Sequence, residues 1–223
     1  MNADRLAGLN KTKTQLIAED LRRALVTGEA VGAGGFNIRK IAETYGTSIT
    51  PVREALRLLE AEGLILRSTH RAVAALELPR TDAEELYELR SRIESLATER
   101  AASRMDPQDQ ERLHLLHAKF EAAVTSREFA GAQEANEAWH FHVYSCGTSV
   151  PTLRIVKMLW TRVDWSSTWS VPGRVEQSLA EHAEINDALA ARTDSLSGRL
   201  LAQHIVKSFS AAMNFRLSEE QAQ

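Results

Sequence analysis

Gly46-Thr-Ser-Ile-Thr-Pro-Val-Arg-Glu-Ala-Leu-Arg-Leu-Leu-Glu-Ala-Glu-Gly63 is the stretch whose reading decides the fold. Gly46 interrupts the helical pattern before it. Ser48 or Thr50 offers a cap, and Pro51 suits a first helical turn, where an N–H has no intrahelical partner anyway. Val52, Ala55, Leu56 and Leu59 then recur at helical spacing on one face, while Arg53 and Arg57 lie i,i+4 on another. The spacing predicts a tight turn followed by an amphipathic helix that carries arginines, the form of a helix that reads the DNA major groove. A surface helix with two solvated arginines fits the same residues taken alone.

The flanks separate these alternatives. Residues 12–27 predict an amphipathic helix with Leu16, Ile17, Leu21, Ala24 and Leu25 as its apolar stripe. After a Gly-rich break, Phe36 to Thr44 predicts the first helix of the pair. Beyond Gly63, Leu64-Ile-Leu-Arg67 and Ala72-Val-Ala-Ala-Leu76 flank a Ser-Thr-His-Arg turn, the pattern of a small β-hairpin wing. Three helices and a basic wing make a winged helix-turn-helix. The order and the residues resemble the N-terminal domain of the GntR family of bacterial transcription regulators, in which the recognition helix begins roughly Ser-Arg-Thr-Pro-Val-Arg-Glu-Ala-Leu. Ser48 to Leu56 agrees at eight of nine positions. The resemblance implies operator contacts from Arg39, Ser48, Thr50, Pro51, Arg53, His70 and Arg71. Ile49 departs from the family's arginine and His70 from its wing-tip glycine, so the operator sequence is the part these departures affect.

Composition is consistent with such a regulator. No run of eighteen apolar residues suggests a membrane span, and the first residues carry no apolar signal core, so a cytoplasmic location is expected. A single cysteine, Cys146, excludes a disulfide framework and a thiolate metal site. The formal net charge is −3, but residues 1–80 contain 12 Lys and Arg against 9 Asp and Glu. The basic excess therefore sits with the DNA-type motif, as phosphate contact requires, and its modest size favours a dimer presenting two such surfaces.

From Thr81 onward the pattern is entirely helical, and a domain boundary at residue 78 is expected: 1–78 a winged helix-turn-helix, 79–223 an all-α antiparallel bundle. Thr81 to Glu84 reads as a capping box opening a helix to about Ser103, with Leu86, Leu89, Ile93, Leu96 and Ala97 inward. Asp106-Pro107 starts a second helix, Phe129 a third and Pro151 a fourth. Ser178 to Glu181 reads as another capping box, and a last helix follows from Asp194. His140, His182 and His204 fall on three different helices, and Asn136 shares a helix face with His140. Three imidazoles suit Zn²⁺ or a similar ion if they converge, which spacing alone does not establish.

This region resembles the FCD domain, the effector-binding bundle of the FadR subfamily of GntR regulators. Its pattern, approximately Asp-x-x-Phe-His, Glu-His-x-x-Ile and Asp followed ten residues on by His, corresponds to Asn136-Glu-Ala-Trp139-His140, to Glu181-His182 to Ile185, and to Asp194 with His204. The resemblance implies a divalent metal ion, Zn or Ni, held by Asn136, His140, His182 and His204, with Asn136 replacing the family's aspartate. A dication among neutral ligands lacks charge compensation, which favours an anion as a further ligand. Arg90, with Glu94 one turn on, matches the family's Arg-x-x-x-Glu and is implied to face the effector; a surface i,i+4 pair is the alternative. The expected function is a homodimeric regulator that binds palindromic double-stranded operator DNA and senses a small organic acid. Its rivals are a metal-dependent enzyme built on the three histidines and a constitutive DNA-binding protein whose bundle only dimerises.

Overall fold

The computed structural model describes residues 12–26, 37–61, 65–66, 74–75, 78–163 and 165–221. The chain divides into two compact units, Met1–Glu77 and Leu78–Gln223.

In the first unit, α1 (Lys13–Val26), α2 (Ile38–Thr44) and α3 (Ile49–Ala61) pack around Ile17, Ala18, Leu21, Ala42, Val52, Ala55, Leu56 and Leu59. The α3 stripe expected from periodicity is the buried face, with Val52, Ala55 and Leu59 fully enclosed. At about 25 cal/mol per Å² of apolar surface, such a face supplies most of what holds three short helices together. The α2 helix begins at Ile38 rather than Phe36, because the Asn37 carboxamide caps it by accepting from the backbone N–H groups of Arg39 and Lys40. Thr50 lies within α3 and so is not its cap. Ile65–Leu66 (β1) pairs antiparallel with Ala74–Ala75 (β2), in the register Ile65 with Ala75. The tip between these short strands, with His70 and Arg71, and the Gly-rich break lie outside the described residues.

In the second unit α4 (Arg80–Arg104), α5 (Pro107–Thr125), α6 (Phe129–Gly147), α7 (Val150–Trp160), α8 (Trp165–Ser170), α9 (Arg174–Ala190) and α10 (Asp194–Gln221) form a helical bundle. The α4 helix packs on α10 and α6, α5 on α6 and α9, and α9 on α10. Trp139, Tyr144, Ile185, Leu189, Leu201 and Ile205 form the middle of its core. Asp106 caps α5 in a reciprocal box with Asp109, and Pro107 takes the first position, as expected.

Two capping boxes expected from the sequence do not form. The α4 helix starts two residues early, behind Pro79, so Thr81 turns to Asp82 and Glu84 pairs with Arg80. The α9 helix starts at Arg174, behind Gly173, whose φ of 74° is a left-handed conformation that favours glycine. Ser178 and Glu181 are therefore buried inside the helix, not at its end. The inward face of α4 is also rotated. Leu89 and Leu96, expected in the core, are exposed, while Arg90 and Glu94 are buried because α6 and α7 offer them polar partners. No helix among the described residues is long and apolar enough to cross a membrane.

Candidate functional site

Three helices bring His140, His182 and His204 together. One ring nitrogen from each lies within 4.8 Å of the others, and all three side chains are buried. Packing positions the rings. Trp139 stacks on His182 at 3.9 Å between centroids and 8° between planes, and its Nε1 donates to the Asn186 carboxamide oxygen at 3.0 Å. Trp160 meets His140 edge-on at 5.0 Å.

Hydrogen bonds decide the tautomers of two rings. The Tyr144 hydroxyl donates to Glu94 Oε2 at 2.5 Å, because a carboxylate only accepts. Its oxygen must then accept from His140 Nδ1, 2.9 Å away, so His140 Nε2 keeps its lone pair. Similarly, His204 Nδ1 donates to Glu181 Oε2 at 2.7 Å and leaves Nε2 as an acceptor. The third ring, His182, is fully enclosed, and neither nitrogen has a hydrogen-bond partner among the described residues. An imidazole left so in a protein interior is costly unless something accepts its lone pair. The donor set therefore fits a divalent cation: three neutral nitrogens, two of them oriented by carboxylate or phenol partners as metal-bound imidazoles commonly are.

Electrostatics agree. Burial pushes His140 and His182 well below the ordinary imidazole value, with neighbouring cationic groups adding to it. Burial lowers His204 as well, although the Glu181 carboxylate opposes it. All three are thus neutral near pH 7, as a metal ligand must be. Burial alone would raise the Glu181 carboxyl, but hydrogen bonds from His204 and Arg174 bring it down to about 2.

Asn136 is buried one turn before His140, and no side-chain hydrogen bond reaches it among the described residues. Arg90 is not a surface residue. Its Nε donates to Glu94 Oε1 at 2.7 Å, and the guanidinium sits over Tyr87 and Trp160 at 5.0 and 5.2 Å. Glu94 also accepts from Trp160 Nε1 at 2.8 Å, so Arg90, Glu94, Tyr144 and His140 form one connected chain.

The sequence reading missed Arg174 and the role of Glu181. Arg174 is buried, donates to Glu181 Oε2 at 2.6 Å and to Ser208 Oγ at 2.8 Å, and comes within 3.4 Å of His204 Nδ1. Glycine just before it and Glu181 two helical turns later were the available signals. A second group, Asp109, His142 and Cys146, also clusters, but each member is used. Asp109 closes the α5 cap, His142 Nε2 donates to the Asp109 carbonyl, and burial with Asp109 nearby pushes the Cys146 thiol up to about 11. His117 meets the Leu179 carbonyl at 3.1 Å, and His114 is exposed.

On the first unit, Arg39, Ser48, Thr50 and Arg53 are exposed around the α2–α3 turn, and Pro51 is half-buried. Ile49 is exposed beside them, and Arg57 pairs with Glu54.

A helix-turn-helix unit followed by a helical unit with a buried histidine cluster is an architecture suited to a DNA-binding regulator with a sensor domain. The FCD domain profile matches residues 85–207, and that of the bacterial regulatory proteins of the gntR family matches residues 13–74. The chain belongs to the GntR family of transcription regulators, in the branch with an FCD effector-binding domain. It is 24% identical over 171 residues to the HTH-type transcriptional regulator McbR of Escherichia coli, covering 77% of both chains. It is 31% identical over 101 residues to the uncharacterized regulator YdhC of Bacillus subtilis, covering 45% of this chain and only 44% of that one. The solved structure of E. coli McbR/YncC superposes with a TM-score of 0.83 at 21% identity, covering 92% of this chain and 99% of that chain, a likeness of fold.

Proposed function

We propose that this protein is a cytoplasmic, homodimeric, ligand-responsive regulator whose winged helix-turn-helix binds a palindromic operator and whose bundle senses a small organic acid at a divalent metal ion. The observation that carries the reading is the convergence of three buried imidazoles, one with neither nitrogen partnered among the described residues. His140, His182 and His204 would hold the ion, Zn or Ni, with Asn136 as a neutral fourth ligand. Such a metal supplies a Lewis-acidic position for an oxyanion. An acid bound there offsets charge that neutral ligands leave uncompensated, and Arg90 contributes a further buried guanidinium on the His140 side. Operator contacts are assigned to Arg39, Ser48, Thr50, Pro51, Arg53, His70 and Arg71 on residue type and motif position, supported by exposure of the first three and of Arg53.

Metal analysis of the purified protein tests this directly. About one ion per chain is expected, with removal by chelator lowering Tm and restoration by Zn²⁺ or Ni²⁺ recovering it, because the ion binds only the folded state. His182→Ala should lose both the ion and the Tm response. Protein that takes up no stoichiometric divalent ion and shows no melting shift contradicts the metal-sensing reading. If acid and operator are linked, each must change the affinity of the other by the same factor.

A further inference from the structure

Arg174 has more to offer than its visible bonds use. A guanidinium carries five N–H donors. The two on Nη2 serve Glu181 and Ser208, whereas Nε and Nη1 are buried and have no hydrogen-bond partner among the described residues. The side chain is only 2% exposed. Buried donors are almost always satisfied, so three unmet N–H groups on one enclosed cation point to an acceptor.

Local charge identifies its sign. Arg90 has a carboxylate to itself, since Glu94 accepts from both its Nε and its Nη2 and receives otherwise only neutral donors. Arg174 shares its carboxylate. Glu181 also accepts from His204 Nδ1 and faces Lys207 Nζ at 3.3 Å. Glu181 is thus shared between the buried Arg174, His204 and the half-exposed Lys207, so Arg174 lacks a carboxylate of its own beside the histidine cluster. We propose that Arg174 is the residue that recognises the acid: its unused Nε and Nη1 groups donate to the oxygens of a small carboxylate, for which a planar, always-charged fork is suited. The proposal deepens the small-acid reading above and moves oxyanion recognition from Arg90 to Arg174. A carboxylate there competes with Glu181 for the same guanidinium. Because Glu181 also orients His204, acid and metal communicate through one carboxylate.

Calorimetry with malonate, acetate and inorganic phosphate, on full-length protein both zinc-loaded and chelator-stripped, tests this. Malonate should bind the wild type in both forms. Arg174→Gln should weaken it at least tenfold in both while zinc stoichiometry stays at the wild-type value, and Arg174→Lys should recover part of the affinity. Wild-type malonate affinity in Arg174→Gln, or no binding of malonate and acetate to the wild type, overturns the proposal. Phosphate binding tighter than either acid overturns the carboxylate assignment. Malonate binding that disappears in His182→Ala but survives in Arg174→Gln leaves the metal reading standing and removes this one. A wild type that takes up no zinc yet binds malonate through Arg174 does the reverse. The wild type also carries a readout that no folding defect can blur. With ¹⁵N-labelled arginine, the Arg174 Nε–H resonance should move on malonate addition, and a stationary resonance at saturating malonate overturns the assignment.

Discussion

Tyr144 has one proton and two polar neighbours, and that shortage organises the His140 side of the histidine cluster. Because Glu94 takes the proton, His140 is left to donate through Nδ1 and to present Nε2. Tyr144→Phe removes the link without opening a large cavity. It should cost about 1–3 kcal/mol in urea unfolding of metal-free protein, since it strands the His140 Nδ1–H in a buried place. Metal affinity in competition with a chromophoric chelator should fall roughly 10–100-fold, as for other partners that orient a ligand. If neither quantity moves, the hydroxyl does not select the tautomer. On the other unit, Arg53 and Arg57 are both exposed on α3, and Arg57 is already paired with Glu54. Arg53→Ala should weaken operator binding by about 1–3 kcal/mol and flatten its salt dependence. Equal operator affinity in both proteins would mean that α3 does not read DNA through this side chain.

At the scale of elements, α6 is pressed against α4 near the end that follows the His140 turn. A Cβ added at Gly147 would come 1.7 Å from the Ala97 carbonyl oxygen and 2.9 Å from the Ala101 nitrogen, both backbone atoms that cannot rotate away. Glycine is what lets the two helices meet so closely, and their contact places Tyr144 against Glu94. Gly147→Ala should therefore lower stability by more than about 2 kcal/mol, at or above the usual cost of overpacking. Gly131 is the internal control on the same helix. There a Cβ would meet only the flexible end of Glu128, at 3.2 Å, so Gly131→Ala should be neutral or stabilise by up to about 1 kcal/mol through helix propensity. Comparable urea midpoints for the two variants would show that the α4–α6 approach is not tight.

Across the whole molecule, the buried histidines link stability to pH. His140, His182 and His204 all have folded-state values below the ordinary 6.5, so the unfolded chain binds protons that the folded chain refuses. With more protons on the unfolded state, stability rises with pH in that window. Lowering pH from 7 to 5 should destabilise chelator-treated protein, by up to about 1.4 kcal/mol per pH unit for each histidine. His182→Ala should reduce that slope by up to one proton. Glu181 acts in a lower window: its carboxyl is held near 2 against an ordinary 4.5, so its contribution is present above 4.5 and is lost as pH falls toward 2. Urea titrations between pH 5 and 7 check the histidine term, and a flat profile in the metal-free protein contradicts it.

Local information in the sequence sufficed wherever one face of one helix, or one cap, decided the outcome. The buried stripe of α3, the Asp106-Pro107 start of α5 and the motif of Ser48 to Leu56 depend on neighbours a few residues away, so periodicity and turn chemistry expose them. The same information named His140, His182 and His204 but not their convergence, because the three rings come from helices that meet only in the folded bundle. It also put Leu89 and Leu96 inside, and it left Arg90 as either a surface partner of Glu94 or, by the family resemblance, a residue facing the effector. Tertiary structure buries the Arg90–Glu94 pair, because Tyr144 and Trp160 arrive from α6 and α7 to satisfy that carboxylate. Likewise, Glu181 resembled a capping residue until the left-handed Gly173 moved the start of α9 back to Arg174 and put Arg174 and Glu181 on the same side, two turns apart. Burial of charge is a property of partners, and partners distant along the chain are chosen by packing, not by local pattern.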